Sequence, residues 1–187
     1  MKNSLKAAAA ALSLAFVASS AAAADHHEKT VIVGGAPMYP TKTIVDNAVN
    51  SKDHTTLVAA VQAAGLVDTL KGPGPFTVFA PVNAAFDKLP AGTVESLVKP
   101  ENKGTLTTVL TYHVVPGRMT AKDLIAAVKK GGGKATLTTV QGGTLTASLM
   151  GNTVMLTDAK GGMSHVTQAD VMQSNGVIHV VDTVLKP

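Results

Sequence analysis

Before Gly133 the apolar side chains recur mostly at helical spacing; after it they alternate with threonine and other polar residues, as in strands. Ile44, Val45, Ala48 and Val49 fit a short helix. A second helix opens at Asp53 or His54, carries Leu57, Val58, Val61 and Ala64 on one stripe, and stops near Gly65. Residues 66–70 add a turn before Gly72-Pro73-Gly74. Phe76-Thr77-Val78-Phe79 reads as a strand between Pro75 and Pro81. Asn83 suits the N-cap of a short helix through Ala84, Ala85 and Phe86, which Pro90 closes. Residues 93–98 form a further short helix, and Leu106, Val109 and Leu110 mark one that runs into Tyr112-His113. Thr120-Ala121-Lys122-Asp123 matches a capping box with Asp in place of Glu. Leu124, Ile125 and Val128 follow on one face, and Lys129, Lys130 and Gly131 make the C-terminus.

Residues 137–140, 144–150, 154–157 and 177–181 are rich in threonine and valine and are separated by glycines, so they predict strands. Gly151-Asn152 suits a hairpin turn. Helices in the first half and antiparallel strands in the second define an α+β class. No repeat is visible, and a single domain over 41–187 is expected.

The N-terminus has a different pattern. Lys2 and Lys6 precede an apolar, alanine-rich run over 7–17, and Ala22-Ala23-Ala24 offers a cleavage site. This predicts a cleaved signal peptide over 1–24, and so a secreted or periplasmic protein with no transmembrane anchor after its removal. Residues 25–40 are polar and then rich in glycine and proline, and read as an extended arm or linker. The chain has no cysteine, which excludes disulfides and lipobox acylation. The net charge of +4 includes Lys2 and Lys6, with no acid before Asp25. One arginine and no tryptophan give no nucleic-acid signal.

Three motifs carry more. The first is Gly74-Pro75-Phe76-Thr77-Val78-Phe79-Ala80-Pro81-Val82-Asn83-Ala84-Ala85-Phe86. The second is Tyr112-His113-Val114-Val115-Pro116-Gly117, and the third Asn175-Gly176-Val177-Ile178-His179-Val180-Val181-Asp182. Their order and spacing resemble the signatures of the fasciclin-like (FAS1) domain family, over about residues 41–187. Val82 stands where the family commonly has Thr, and a single Leu precedes Lys186-Pro187. The resemblance implies a wedge of two mainly antiparallel β-sheets with small helices along one side. It makes Phe76, Thr77, Phe79, Pro81, Asn83, Phe86, Asn175, Gly176 and His179 the structural signature. It also implies binding roles for Tyr112 and His113, which match an adhesion region of animal relatives. Asp170 and Val171 are similar to a short integrin-binding motif of those relatives.

The residues themselves suggest plainer roles. His113, among apolar neighbours, is expected to be a core histidine bonded to backbone or to a polar group such as Asn83. Asp170 reads as a solvated acid on a strand edge. His179 alternates with Ile178 and Val180 and is placed facing solvent. His54, His165 and His179 lack metal-ligand spacing. Gly131-Gly132-Gly133-Lys134 is not a phosphate loop, because Val128 and Ala135 break its pattern. No G-x-S-x-G, H-E-x-x-H or paired-carboxylate constellation is present. Cleavage after Ala24 or Ala23 places His27 or His26 third from the new terminus, an arrangement that can hold Cu(II) or Ni(II) through four nitrogens. The same histidines also fit a solvated tail.

These observations predict a secreted, non-enzymatic adhesion domain without a cofactor. Its partner would be a matrix protein, an envelope polysaccharide or another cell surface. The bacterial pattern of the export signal argues against integrin as the native partner. The alternative is a binder of an apolar small molecule such as a carotenoid or lipid, in a groove lined by alanine, valine and methionine.

Overall fold

The computed structural model describes residues 30–187. Strands β1 (Val31–Val33) and β2 (Ala36–Met38) form an antiparallel hairpin. Helices α1 (Ile44–Ala48), α2 (Thr55–Ala64) and α3 (Val67–Lys71) lead to strand β3 (Phe76–Pro81). Helices α4 (Asn83–Asp87), α5 (Thr93–Leu97) and α6 (Lys103–Tyr112) follow, then β4 (Val114–Pro116) and α7 (Ala121–Lys130). The remainder is β5 (Lys134–Thr138), β6 (Thr144–Met150), β7 (Thr153–Thr157), β8 (Met163–Gln173) and β9 (Gly176–Val181).

Seven strands pair in the order β4-β3-β9-β8-β7-β6-β5. All neighbours are antiparallel except β3 and β9. The long β8 pairs with β7 through Met163–His165 and with β9 through residues 166–173, with register slips on the β9 side. It thus carries the ladder from a β5-β6-β7 layer into a β4-β3-β9 layer. The Val140 N–H donates to the Val114 carbonyl at 2.7 Å and ties the loop after β5 back to β4.

Two cores result. Phe79, Tyr112, Leu124, Leu145, Leu156 and Val181 fill the space between the layers. Ile44, Leu57, Val61, Val78, Leu110 and Ile178 pack helices against the outer face of β3 and β9. The period of two explains the division: Phe79 and Val181 point inward, while Val78, Ala80, Ile178 and Val180 point to the helices. Both faces of β9 are covered, so its six residues are all buried, His179 among them. A Cβ on Gly176 would collide with the Phe76 carbonyl, so this close β3–β9 approach requires glycine.

Three expectations change. The arm expected over 25–40 is, from Val31 to Met38, a hairpin whose Val33, Ala36 and Met38 are buried. Gly34 and Gly35 make its turn, both at positive φ, as a two-residue hairpin loop requires. Asn83 is the first helical residue of α4 and does not cap it. Its Oδ1 accepts instead from the Thr56 N–H (3.1 Å), at the start of α2, and its Nδ2 donates to the Lys52 carbonyl (2.8 Å). The longest strand, β8, was expected only as a strand edge near Asp170. Ser164 and Val166 are its buried positions before the register slips, Val171 and Gln173 after them. The buried set changes parity at the bulge, so no simple alternation spans the strand.

Candidate binding site

The signature residues converge on the loop before α7. The Thr77 hydroxyl donates to the Gly117 carbonyl (2.6 Å) and accepts from the Met119 N–H (2.9 Å). Arg118 donates to the carbonyls of Gln173 (3.0 Å) and Ser174 (3.2 Å). Asn175 accepts from the Ile44 N–H at 3.0 Å and donates to the Leu70 carbonyl at 2.7 Å, joining the β8–β9 turn to the helices.

His179 is fully buried, contrary to the solvent-facing expectation, because Phe79 and the loop before α7 lie against its ring. Its Nε2–H donates to the Met119 carbonyl (2.7 Å), and its Nδ1 accepts from the Asp170 N–H (3.3 Å). Its ring stacks on Phe79 with centroids 5.7 Å apart. Burial holds its pKa below the ordinary histidine value.

His113 is buried in the same manner. Nδ1–H donates to the Val109 carbonyl (2.8 Å), and Nε2 accepts from the Leu185 N–H (3.0 Å). Its partners are all backbone, and Asn83 is not one of them. Burial lowers its pKa to about 4, and protonation would set two N–H groups against each other at Leu185. Tyr112 beside it is enclosed; its hydroxyl donates to the Thr144 carbonyl (2.7 Å) and accepts from the Ala159 N–H (3.0 Å).

Of the four residues given binding roles by resemblance, only Asp170 reaches the surface; Tyr112, His113 and Val171 are buried. Asp170 is not a freely solvated acid either. It sits at φ 57° in the bulge of β8, a conformation that Asp tolerates better than most residues. Its Oδ1 accepts from the Ala121 N–H (2.6 Å), the first helical residue of α7. Asp123, in the capping box expected from sequence, stands at the same helix start.

The helix-side core holds a cavity of about 70 Å³, whose place in the fold sequence reasoning did not give when it raised an apolar groove. Its wall is almost wholly apolar and runs from Val33 and Met38 of the hairpin, past α2, to Val78, Ala80 and Ile178. Gln62, Thr69 and Val140 are lining residues that also reach solvent, and mark its mouth. Ser51, His54 and His113 are buried polar residues of this wall. Only 2% of His54 is exposed; Nδ1 pairs with the Ser51 hydroxyl at 2.9 Å, while the Ala80 backbone lies beside the ring. Burial lowers its pKa too. A histidine at a helix start looks ordinary in sequence, and only the fold places it in the wall of a cavity.

Among the described residues, no group of three or more His, Cys, Asp or Glu could hold a metal ion. Nor is any helix among them long and apolar enough to cross a membrane. His165 lies on β8 at 3.3 Å from the Asp182 carboxylate, half exposed. Gly131 ends α7, and Lys134 already belongs to β5, so the glycine run is a helix-to-strand connection. The expected signal peptide and the His26–His27 metal site lie outside the described residues.

The architecture is that of a FAS1 domain. A FAS1 domain pair from the insect cell adhesion molecule Fasciclin I superposes with a TM-score of 0.69 at 19% identity, over 78% of this chain and 51% of that one. The fasciclin domain family model matches residues 52–187, and the chain belongs to that family. Protein sll1483 of Synechocystis is 47% identical over 156 residues, covering 83% of this chain and 79% of that protein. Immunogenic protein MPB70 of Mycobacterium bovis is 37% identical over 145 residues, covering 75% and 66%. The family match begins at Lys52, so β1, β2, α1 and Ser51 precede it.

Proposed function

We propose that this chain is an exported, non-enzymatic adhesion domain whose outer surface engages a matrix protein, an envelope polysaccharide or another cell. Its membership of the fasciclin family carries this reading, together with the fold it shares with part of an insect cell adhesion molecule. The buried state of the signature supports the absence of catalysis. His113 and His179 have both ring nitrogens engaged by backbone and offer no free base to a substrate. Contact residues must therefore lie on the exposed surface, with Asp170 the one candidate from the resemblance that is already there. Beads coated with the domain should retain cells or matrix better than beads coated with a size-matched inert protein. Equal retention on both would overturn the proposal.

A second reading has its own support. The cavity beside α2 favours the binding of a small apolar molecule, because an almost wholly apolar wall is the usual form of such a site. Native purification followed by mass spectrometry of extracted small molecules tests it, and an empty extract counts against it.

A further inference from the structure

We infer that the outward face of β7 and β8 holds a site for a soft monovalent metal ion, Cu(I), ligated by the thioethers of Met155 and Met163 and by Nε2 of His165.

Pairing and parity bring the three side chains together. Met155 lies directly opposite His165 in the β7–β8 ladder, and Thr157 opposite Met163. Val154 and Leu156 of β7, and Ser164 and Val166 of β8, are buried. Alternation therefore turns Met155, Met163 and His165 to the other face, away from the wedge core. Directly opposed Cβ atoms lie about 5 Å apart, and diagonal ones, such as those of Met155 and Met163, about 7–8 Å. Methionine is long, unbranched and flexible, with a polarizable sulfur, so two of them can close that gap around one ion. Met163 is 56% exposed and the His165 side chain 35%, which leaves the way in open.

His165 is prepared as a ligand by its neighbour. Its Nδ1 lies 3.3 Å from Asp182 Oδ2, and a carboxylate can only accept, so Nδ1 carries the ring proton. In the neutral ring Nε2 then keeps its lone pair, and no group among the described residues bonds to it. A histidine whose other nitrogen donates to a carboxylate is the usual form of a metal-bound imidazole. Asp182 is itself fixed by the His165 N–H at 2.9 Å and the Thr183 hydroxyl at 3.0 Å. Its negative charge favours a cation nearby, although Lys88 stands 4.0 Å from the same oxygen.

The donor set selects the ion. Two thioethers and one imidazole suit Cu(I), whereas Zn(II) wants thiolate, more imidazole or carboxylate. No three His, Cys, Asp or Glu gather among the described residues, so no harder site competes there. The third methionine of this face, Met150, lies opposite Thr153 at the far end of the β6–β7 ladder. That is two strands and four residues from Met163, roughly 16 Å, too far to share its ion.

The test titrates the full chain with Ag(I), a redox-inert stand-in, in chloride-free buffer, and repeats the titration with Cu(I) under ascorbate. The ε-methyl NMR signals of Met155 and Met163 should shift together, and the His165 ring should show silver–nitrogen coupling at Nε2. These readouts are specific to this site and separate it from any binding at His26 and His27. Met155→Leu, Met163→Leu and His165→Phe should each weaken binding roughly tenfold or more, with melting points near the parent's. Asp182→Asn, which acts only through the ring, should weaken it roughly tenfold and reduce the proton population on Nδ1. Met150→Leu should change binding little, and Zn(II) should leave the methionine methyls unmoved. Methyls of Met155 and Met163 that stay unshifted in excess Ag(I) would overturn the site. A loss on Met150→Leu equal to that on Met163→Leu would overturn the ligand set, as would a free ring protonated on Nε2 alone.

Discussion

The two faces of the β4-β3-β9 layer bury histidines in different ways. Inside the wedge, His179 has each ring nitrogen matched to a backbone group, and Phe79 stacks on it. On the helix side, His54 is equally buried, but only Nδ1 has a well-formed partner, the Ser51 hydroxyl, while the Ala80 backbone lies beside the ring. His113, at the end of α6, borders the helix-side cavity yet follows the wedge pattern. A satisfied histidine acts as a cross-link between distant backbone segments. His54 makes a shorter link, to Ser51 three residues before it, and stands in the wall of the helix-side cavity.

The contrast can be broken by mutation. Truncating the wedge should have the largest effect: Phe79→Ala is expected to cost about 3–5 kcal/mol in urea unfolding. Leu57→Ala, beside the existing cavity, should fall near the low end of such truncations, about 2 kcal/mol. Equal losses would mean that the two cores are packed alike.

Acid should act next. The folded pKa values of His54, His113 and His179 lie below the ordinary 6.5, so the unfolded chain takes up the extra protons. Stability is then fully present above about pH 6.5 and is lost as the pH falls. The share of His113 levels off only below about 4. That share is on the order of 3 kcal/mol. Urea midpoints between pH 7.5 and about 4.5 should drop steadily; a flat profile would contradict the buried neutral rings.

Removing a ring with both nitrogens bonded should cost more than removing one with a single well-formed hydrogen bond. His113→Ala is expected to lose about 1–3 kcal/mol, because the Leu185 N–H and Val109 carbonyl lose their partner and a void opens. His54→Phe should stay within about 1 kcal/mol of the parent. The smallest effect is expected at the surface. Asp170→Asn keeps an acceptor for the Ala121 N–H and removes the charge at the start of α7, for about 0.5 kcal/mol. Loss of cell retention by this variant, with its melting point almost unchanged, would make Asp170 a contact residue.

Local patterns made much of this legible. The Thr120–Asp123 capping box and the Gly65 stop are where their chemistry places them. The Phe76 strand and the Thr144–Met150 strand also follow from composition and bounds. What escaped depends on distant partners. The hairpin at residues 31–38 has three-residue strands with a proline inside, too short to show a period. β8 changes parity at its bulge. His179 was placed facing solvent because alternation fixes which face a residue takes, and only the loop at Met119 decides that this face is covered. His54 took its place in the cavity wall only when Ser51, Ala80 and the hairpin met around it.

The position of β9 has a consequence for how the chain reaches its native state. This strand lies between β3 and β8, so the middle of the sheet is supplied by residues near the end of the sequence. A nascent chain lacking them can form its helices and the β5-β6-β7 meander but cannot join the two layers. Nucleation must wait for a pairing of high sequence separation, which slows folding. Loss of six residues from this region would leave two incomplete halves rather than a slightly trimmed domain.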